Sequence, residues 1–146
     1  MKNLTFLLFI LTSVSIFSQE LESKINWSND IDKAIALGKE KNQEVFIYLG
    51  EKKCVPCRAV EKYAYSTEKF QEYAKKFIMV KVYNDLDETK TKELQYFNDA
   101  KKRFNTKSVP RFIIIKNGEE IANFFAYIKS PEALIEKINS FYKASE

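Results

Sequence analysis

Apolar residues recur along this 146-residue chain in two rhythms, one helical and one extended. Ser28 can cap a helix whose apolar positions Ile31, Ala34, Ile35 and Leu37 fall at helical spacing, with Gly38 and Asn42 marking its decay. Glu44 to Leu49 (EVFIYL) is instead a short unbroken run of β-branched and aromatic residues, the pattern of a strand buried on both faces, and it stops at Gly50. Ala59, Val60, Tyr63 and Ala64 return to helical spacing, and Phe70, Tyr73, Ala74 and Phe77 resume it beyond a break at Ser66-Thr67. Phe77 to Tyr83 (FIMVKVY) reads as a second buried strand, and the charged stretch Glu88 to Phe104 as a solvated helix with a narrow stripe of Leu94, Phe97, Lys101 and Phe104. Arg111 to Lys116, then Asn117-Gly118, then Glu120 to Tyr127 is a hairpin signature. Ser130 as cap and Pro131 at the first helical position open a last helix with Leu134, Ile135, Ile138, Phe141 and Tyr142 on one face. The order α, β, α, β, α, β, β, α predicts an α/β fold with a mixed central sheet of about four strands and helices on both faces.

The first residues obey a different logic. Lys2 precedes Leu4 to Phe17, a 14-residue stretch that is apolar apart from Thr5, Thr12, Ser13 and Ser15. That length suits the core of a secretory signal and falls short of the roughly 20 residues of a spanning helix, so an uncleaved membrane anchor is the weaker reading. Ser18 is a small residue placed for cleavage before Gln19. The expected organisation is a signal peptide over 1–18, a polar lead-in over 19–26 and one domain over 19–146, exported to a periplasmic or secreted location with no membrane span after cleavage. Export would put the cysteines in a compartment where disulfides persist.

Composition narrows the chemistry. The chain has no histidine, which removes Ser-His-Asp and Cys-His catalysis and histidine-ligated metals. Its net charge of +4 comes from lysines scattered among glutamates, which argues against a nucleic-acid groove. The only cysteines are Cys54 and Cys57. They come a short turn after the strand ending at Gly50 and open a helix, with Pro56 where a missing N–H costs nothing. A thiolate at Cys54 would sit at the helix N-terminus with Lys52, Lys53 and Arg58 nearby, partly opposed by Glu51 and Glu61. It could attack a substrate disulfide, and Cys57, one turn later, could resolve the mixed disulfide. The competing readings are a structural disulfide, which stabilises little over so short a loop, and half a metal site whose other ligands are missing.

Cys54-Val55-Pro56-Cys57-Arg58 after a strand, together with Ser108-Val109-Pro110-Arg111-Phe112-Ile113 and Lys116-Asn117-Gly118-Glu119, resembles the thioredoxin superfamily, and more closely its exported members such as the reductase domain of periplasmic thiol-disulfide interchange proteins. The resemblance covers roughly Trp27 to Phe141 and implies a three-layer sandwich. It implies that Cys54 is the nucleophile and Cys57 the resolving thiol. Val109 with a cis Pro110 would form the substrate-side wall, with Val55 and Pro56 also on the substrate surface. No separate cofactor is implied, because the dithiol carries the two electrons. The implied partners are a disulfide-containing protein and an upstream thiol electron donor. Histidine between the cysteines marks the strong oxidants of the superfamily, so Val-Pro favours a reductase. The alternatives are a non-catalytic binding or chaperone-type module and Cu(I) handling by the two thiolates.

Three positions depart from the family pattern. Lys53 replaces the aromatic residue before the first cysteine, Tyr48 replaces the buried acid six positions before it, and Ala126 with Tyr127 after it replaces the glycine of the loop after the hairpin. Lys81 matches a lysine that lies near that acid in relatives. Tyr48, Tyr63, Tyr73, Phe70 and Phe77 are expected in the core, and Trp27 in packing.

Overall fold

The computed structural model describes residues 24–143; the proposed signal peptide lies outside them. The sheet has five strands rather than four. They are β1 (Trp27–Ser28), β2 (Glu44–Glu51), β3 (Phe77–Asn84), β4 (Arg111–Lys116) and β5 (Glu119–Phe124), in the spatial order β1-β3-β2-β4-β5. The extra strand comes just after the polar lead-in expected over 19–26. At two residues it is too short to carry a periodic pattern, yet it pairs in parallel with Met79 and Val80 of β3. β2 and β3 are parallel, whereas β2 with β4 and β4 with β5 are antiparallel.

The buried runs alternate strictly between two cores. Phe46 and Tyr48 of β2, Phe77 and Met79 of β3 and Phe112 and Ile114 of β4 face one side; Val45, Ile47, Leu49, Val80, Val82, Ile113 and Ile115 face the other. A continuous apolar string is what a strand covered on both faces requires. On the second face lie α1 (Ile31–Lys41) and α4 (Thr91–Arg103); on the first lie α2 (Val55–Val60), α3 (Glu68–Ala74) and α5 (Pro131–Lys143). This is the three-layer α/β sandwich that the pattern and the resemblance imply.

Local chemistry moves several boundaries. Asp30, not Ser28, caps α1, accepting the Lys33 N–H at 3.0 Å, while Ser28 accepts the Asp30 N–H from within β1. α4 starts at Thr91 instead of Glu88. Asn84, Asp85 and Asp87 each accept a backbone N–H two residues on, and these local bonds hold residues 84–89 in turns that compete with helix. In α4 the buried residues are Phe97 and Ala100, while Leu94 is exposed. β5 ends at Phe124 rather than Tyr127 because its partner β4 begins at Arg111, just after a proline without an N–H. The hairpin turns through Asn117 and Gly118, both at positive φ, as a two-residue connection between twisted strands demands.

The helix after the cysteines contains a π turn over Glu61–Tyr65, closed by a bond from the Ser66 N–H to the Glu61 carbonyl at 3.2 Å. The wider turn shifts the phase of the side chains at its C-terminal end. Tyr65 points into the core, and Tyr63, expected inside, is exposed. The break at Ser66-Thr67 falls where expected: Thr67 caps α3 by accepting the Phe70 N–H.

Candidate active site

The end of β2 and the start of α2 place the cysteine pair. After Glu51, a two-residue turn closed by the Cys54 N–H on the Glu51 carbonyl (3.1 Å) delivers Cys54 to the N-cap position of α2. Pro56 occupies the first turn, where no donor is needed. Cys54 is half-buried and Cys57 fully buried, so the first sulfur faces outward and the second faces the core. The two are joined in a disulfide, with the sulfurs 2.10 Å and the Cα atoms 5.2 Å apart. The Cys57 N–H donates to Cys54 Sγ at 3.1 Å. In the reduced protein that donor, with the rest of the helix N-terminus, is placed to stabilise a thiolate on Cys54.

The opposing wall comes from the segment before β4. The Val109-Pro110 peptide bond is cis, as the resemblance implies, and the Val109 carbonyl oxygen lies 3.6 Å from Cys54 Sγ. Pro110 is buried and Val109 half-buried, and Val109 and Cys54 both pack against the core shared by α2, α3 and α5. Val55 is 57% exposed beside the pair, and Pro56 is partly covered. All six residues singled out in the sequence therefore meet at one end of the sheet.

Beneath the disulfide, Tyr48 fills the position of the family's acid. It is completely buried among Trp27, Tyr65 and Phe112, at ring-centroid separations of 6.4, 5.2 and 5.8 Å. Its hydroxyl reaches the Cys57 carbonyl at 3.5 Å, the outer limit of a hydrogen bond. The ring curls over Gly50: a Cβ there would stand 2.5 Å from the Tyr48 hydroxyl oxygen and 2.6 Å from the carbon that bears it. Burial pushes the Tyr48 phenol far above its ordinary ionisation range, and the negative charge of Glu61 adds to this. Tyr65 is shifted the same way for the same leading reason, and its buried hydroxyl has no hydrogen-bond partner among the described residues.

Lys81 stands opposite Tyr48 in the β2–β3 register, as its match to the family lysine suggests. Its ammonium pairs with Glu61 at 2.7 Å and lies 4.5 Å from the centre of the Tyr83 ring. The acid paired with this lysine is thus on the helix of the cysteines and not on the strand. Glu51, the other acid near the pair, accepts from the Asn84 amide at 3.1 Å. No sequence periodicity marks the Tyr48–Gly50 fit or the Glu61–Lys81 pair. The one available signal was the coincidence of a bulky residue at 48 with a glycine two positions on, facing the same side.

A twisted mixed sheet between two helical layers, with a Cys-x-x-Cys pair at a helix N-terminus against a cis-proline segment, defines a thioredoxin-type thiol-disulfide site. Residues 26–116 match the family described as Thioredoxin-like, well over half of the chain, and the protein belongs to that family. Among solved structures it is similar to DsbH oxidoreductase, with a TM-score of 0.70 and 16% identity over 82% of this chain and 85% of that one. A thioredoxin from Thermus thermophilus gives a TM-score of 0.57 and 18% identity over 77% and 83% of the two chains. The poplar thioredoxin h gives 0.55 and 14% over 76% and 86%. At such identities these likenesses establish the fold. No curated protein matches the sequence.

Proposed function

We propose that this protein is an exported thiol-disulfide oxidoreductase that works as a reductase of protein disulfides. The observation that carries the reading is the asymmetry of the pair: Cys54 is accessible, capped by an N–H and set against the Val109 carbonyl, while Cys57 is buried behind it. The Cys54 thiolate attacks one sulfur of a substrate disulfide, forming a Cys54–substrate bond and expelling the other sulfur as a thiolate. Cys57 then loses its proton and attacks Cys54 Sγ. The mixed disulfide breaks, the second substrate sulfur leaves, and the Cys54–Cys57 disulfide remains. The substrate has gained two electrons, and an upstream thiol donor returns two electrons to the pair. Val109, Pro110, Val55 and Pro56 form the surface on which the substrate chain lies.

Export rests on the charged start and 14-residue apolar stretch ahead of Ser18; among the described residues no helix is long and apolar enough to cross a membrane. A protein recovered from the secretory route with Gln19 at its N-terminus supports the reading, and one that keeps residue 1 refutes it. Turnover is tested by dithiothreitol-driven reduction of a protein disulfide. The wild type should accelerate it, Cys54→Ser should not, and Cys57→Ala should accumulate a mixed disulfide through Cys54. A Cys54→Ser protein with full activity would overturn the proposal.

A further inference from the structure

The surface around Cys54 carries positive charge that the rest of the protein does not fully neutralise. Lys53 and Arg58 flank the cysteine pair, Lys107 stands two residues before Val109, and Arg111 comes directly after Pro110. Lys53, Arg58 and Lys107 are exposed, and Arg111 is half-buried. None of the four forms an ion pair among the described residues. Arg58 donates to the Lys52 carbonyl at 3.0 Å and Arg111 to the Asn123 side-chain oxygen, so both guanidinium groups are positioned by neutral partners and keep their charge.

Of the acids at this end of the sheet, Glu61 pairs with Lys81 and Asp85 with Lys90, while Glu51, held by the neutral Asn84 amide, offsets one of the cations. Asp85, Asp87 and Glu88 come after β3, on one side of β2; the Asp85 carboxyl is lowered chiefly by its hydrogen bond to Lys90, with the charge of Lys52 adding a little. Cys54 looks to the opposite side, toward Val109 and β4. Lys107 and Arg111, on either side of Val109-Pro110 in the chain, therefore belong to the half of the surface that the reactive sulfur faces, and Lys53 is that cysteine's neighbour in the chain, whereas Arg58 is held on the Lys52 carbonyl toward the other half.

That half is also apolar. β5 ends at Phe124, opposite Phe112, so residues 125–127 leave the sheet at the end where 109–111 enter it. There Phe125 is 47% and Tyr127 52% exposed, facing solvent as Val55 does on the other side of the sulfur. Large exposed aromatic side chains beside unpaired cations form a surface for an extended chain that is itself mixed, apolar and anionic.

We infer that this face receives an extended polypeptide whose disulfide is flanked by carboxylate side chains, with apolar residues between them. The inference rests on the reductase reading and names its substrate class. Complementary charge of this kind acts chiefly on the association rate and is screened by salt.

The test uses the reduced protein freed of dithiothreitol and two disulfide-linked peptides of equal length, one with Asp on both sides of its cystine and one with Lys. At low salt the acidic peptide should be reduced about tenfold faster, and the ratio should fall toward one at about 0.5 M salt. Lys107→Glu with Lys53→Glu should invert the preference. Because each protein is scored by its ratio between peptides, any change these variants make to Cys54 nucleophilicity cancels. Equal rates at low salt, or a ratio unmoved in the double variant, would overturn the inference and leave the reductase reading standing. Reduction of neither peptide would overturn both.

Discussion

Replacing Tyr48 separates what its ring does from what its hydroxyl does. In Tyr48→Phe the ring contacts with Trp27, Tyr65 and Phe112 survive, and the loss is one bond at 3.5 Å to the Cys57 carbonyl. That carbonyl still accepts the Glu61 N–H within the helix, so no buried acceptor is orphaned. The cost should be no more than about 1 kcal/mol. Tyr48→Asp is different. Removing a fully buried aromatic costs about 3–5 kcal/mol, and a carboxyl in its place adds a few kcal/mol unless it takes up a proton. The sum approaches the whole stability of an ordinary domain, about 5–15 kcal/mol. Chemistry runs the other way. A phenol held above its normal ionisation range cannot accept the Cys57 proton near neutrality, whereas a buried carboxyl with a raised pKa can. Single-turnover release of the mixed disulfide, measured across roughly pH 6–9 at low temperature with urea unfolding in parallel, reads both effects. The wild type and Tyr48→Phe should resolve slowly at neutral pH, speed up as pH rises, and agree within about twofold. Tyr48→Asp should unfold at much lower urea yet release substrate faster at neutral pH. A slowing of about tenfold in Tyr48→Phe, equivalent to about 1.4 kcal/mol, would give the hydroxyl a direct role and refute this reasoning; a folded Tyr48→Asp with no gain would refute its second half.

The same geometry makes three further outcomes testable. In the reduced protein Cys54 should alkylate faster than Cys57 and keep doing so well below pH 8.5, about where an ordinary thiol loses its thiolate; equal rates at the two sulfurs, seen by peptide mass mapping, would count against the assignment. Gly50→Ala should destabilise by about 1–3 kcal/mol, because the new methyl meets the Tyr48 ring, and most of that loss should vanish when Tyr48→Leu is added. Additive costs in the urea midpoints of the two single variants and the double would sink this account. The buried phenols should also make the protein sensitive to alkali. Burial pushes Tyr73 up to about 12 and raises Tyr48, Tyr65 and Tyr142 as well. Above pH 10, about the value for a free phenol, the unfolded chain gives up protons that the folded chain retains. The unfolded state then binds fewer protons, so stability must fall as pH rises from 10 toward 12, with folding and tyrosinate absorbance lost together. A urea midpoint unchanged across that window would contradict it.

The sequence betrays most where burial is most complete. Phe46, Tyr48, Ile113 and Ile114 stand out because a strand with helices on both faces has no polar side to show. The cysteine pair was equally legible, since a helix N-terminus, a proline and two thiols have local causes. What stayed hidden depends on partners distant in the chain. Trp27 and Ser28 become a strand only because β3 offers an edge, and Glu61 finds Lys81 only because the π turn and the β2–β3 register bring helix and strand together. Tyr63 and Tyr65 are two residues apart with the same side chain, so hydrophobicity cannot tell which is buried; the backbone turn decides.

That turn makes the segment a matter of counting more than of spelling. Each residue of an ordinary helix advances the side chains by about 100°, so deleting one residue between Glu61 and Tyr65 would restore a regular helix and misphase the chain beyond it. Thr67 would lose its station as the cap of α3, and the links from α3 and the residues beside it to α5, Lys69 with Glu132 and Tyr73 with Asn139, would be pulled out of register. Substitutions on the solvent side of this stretch, at Lys62 or Tyr63, should pass almost unnoticed, whereas any change of length would be felt across the helical layer behind Cys57. When this chain is aligned with relatives that have a regular helix here, the gap belongs inside 61–65; placed anywhere else, it shifts α3 and leaves Phe70 and Ala74 matched to residues on the wrong face.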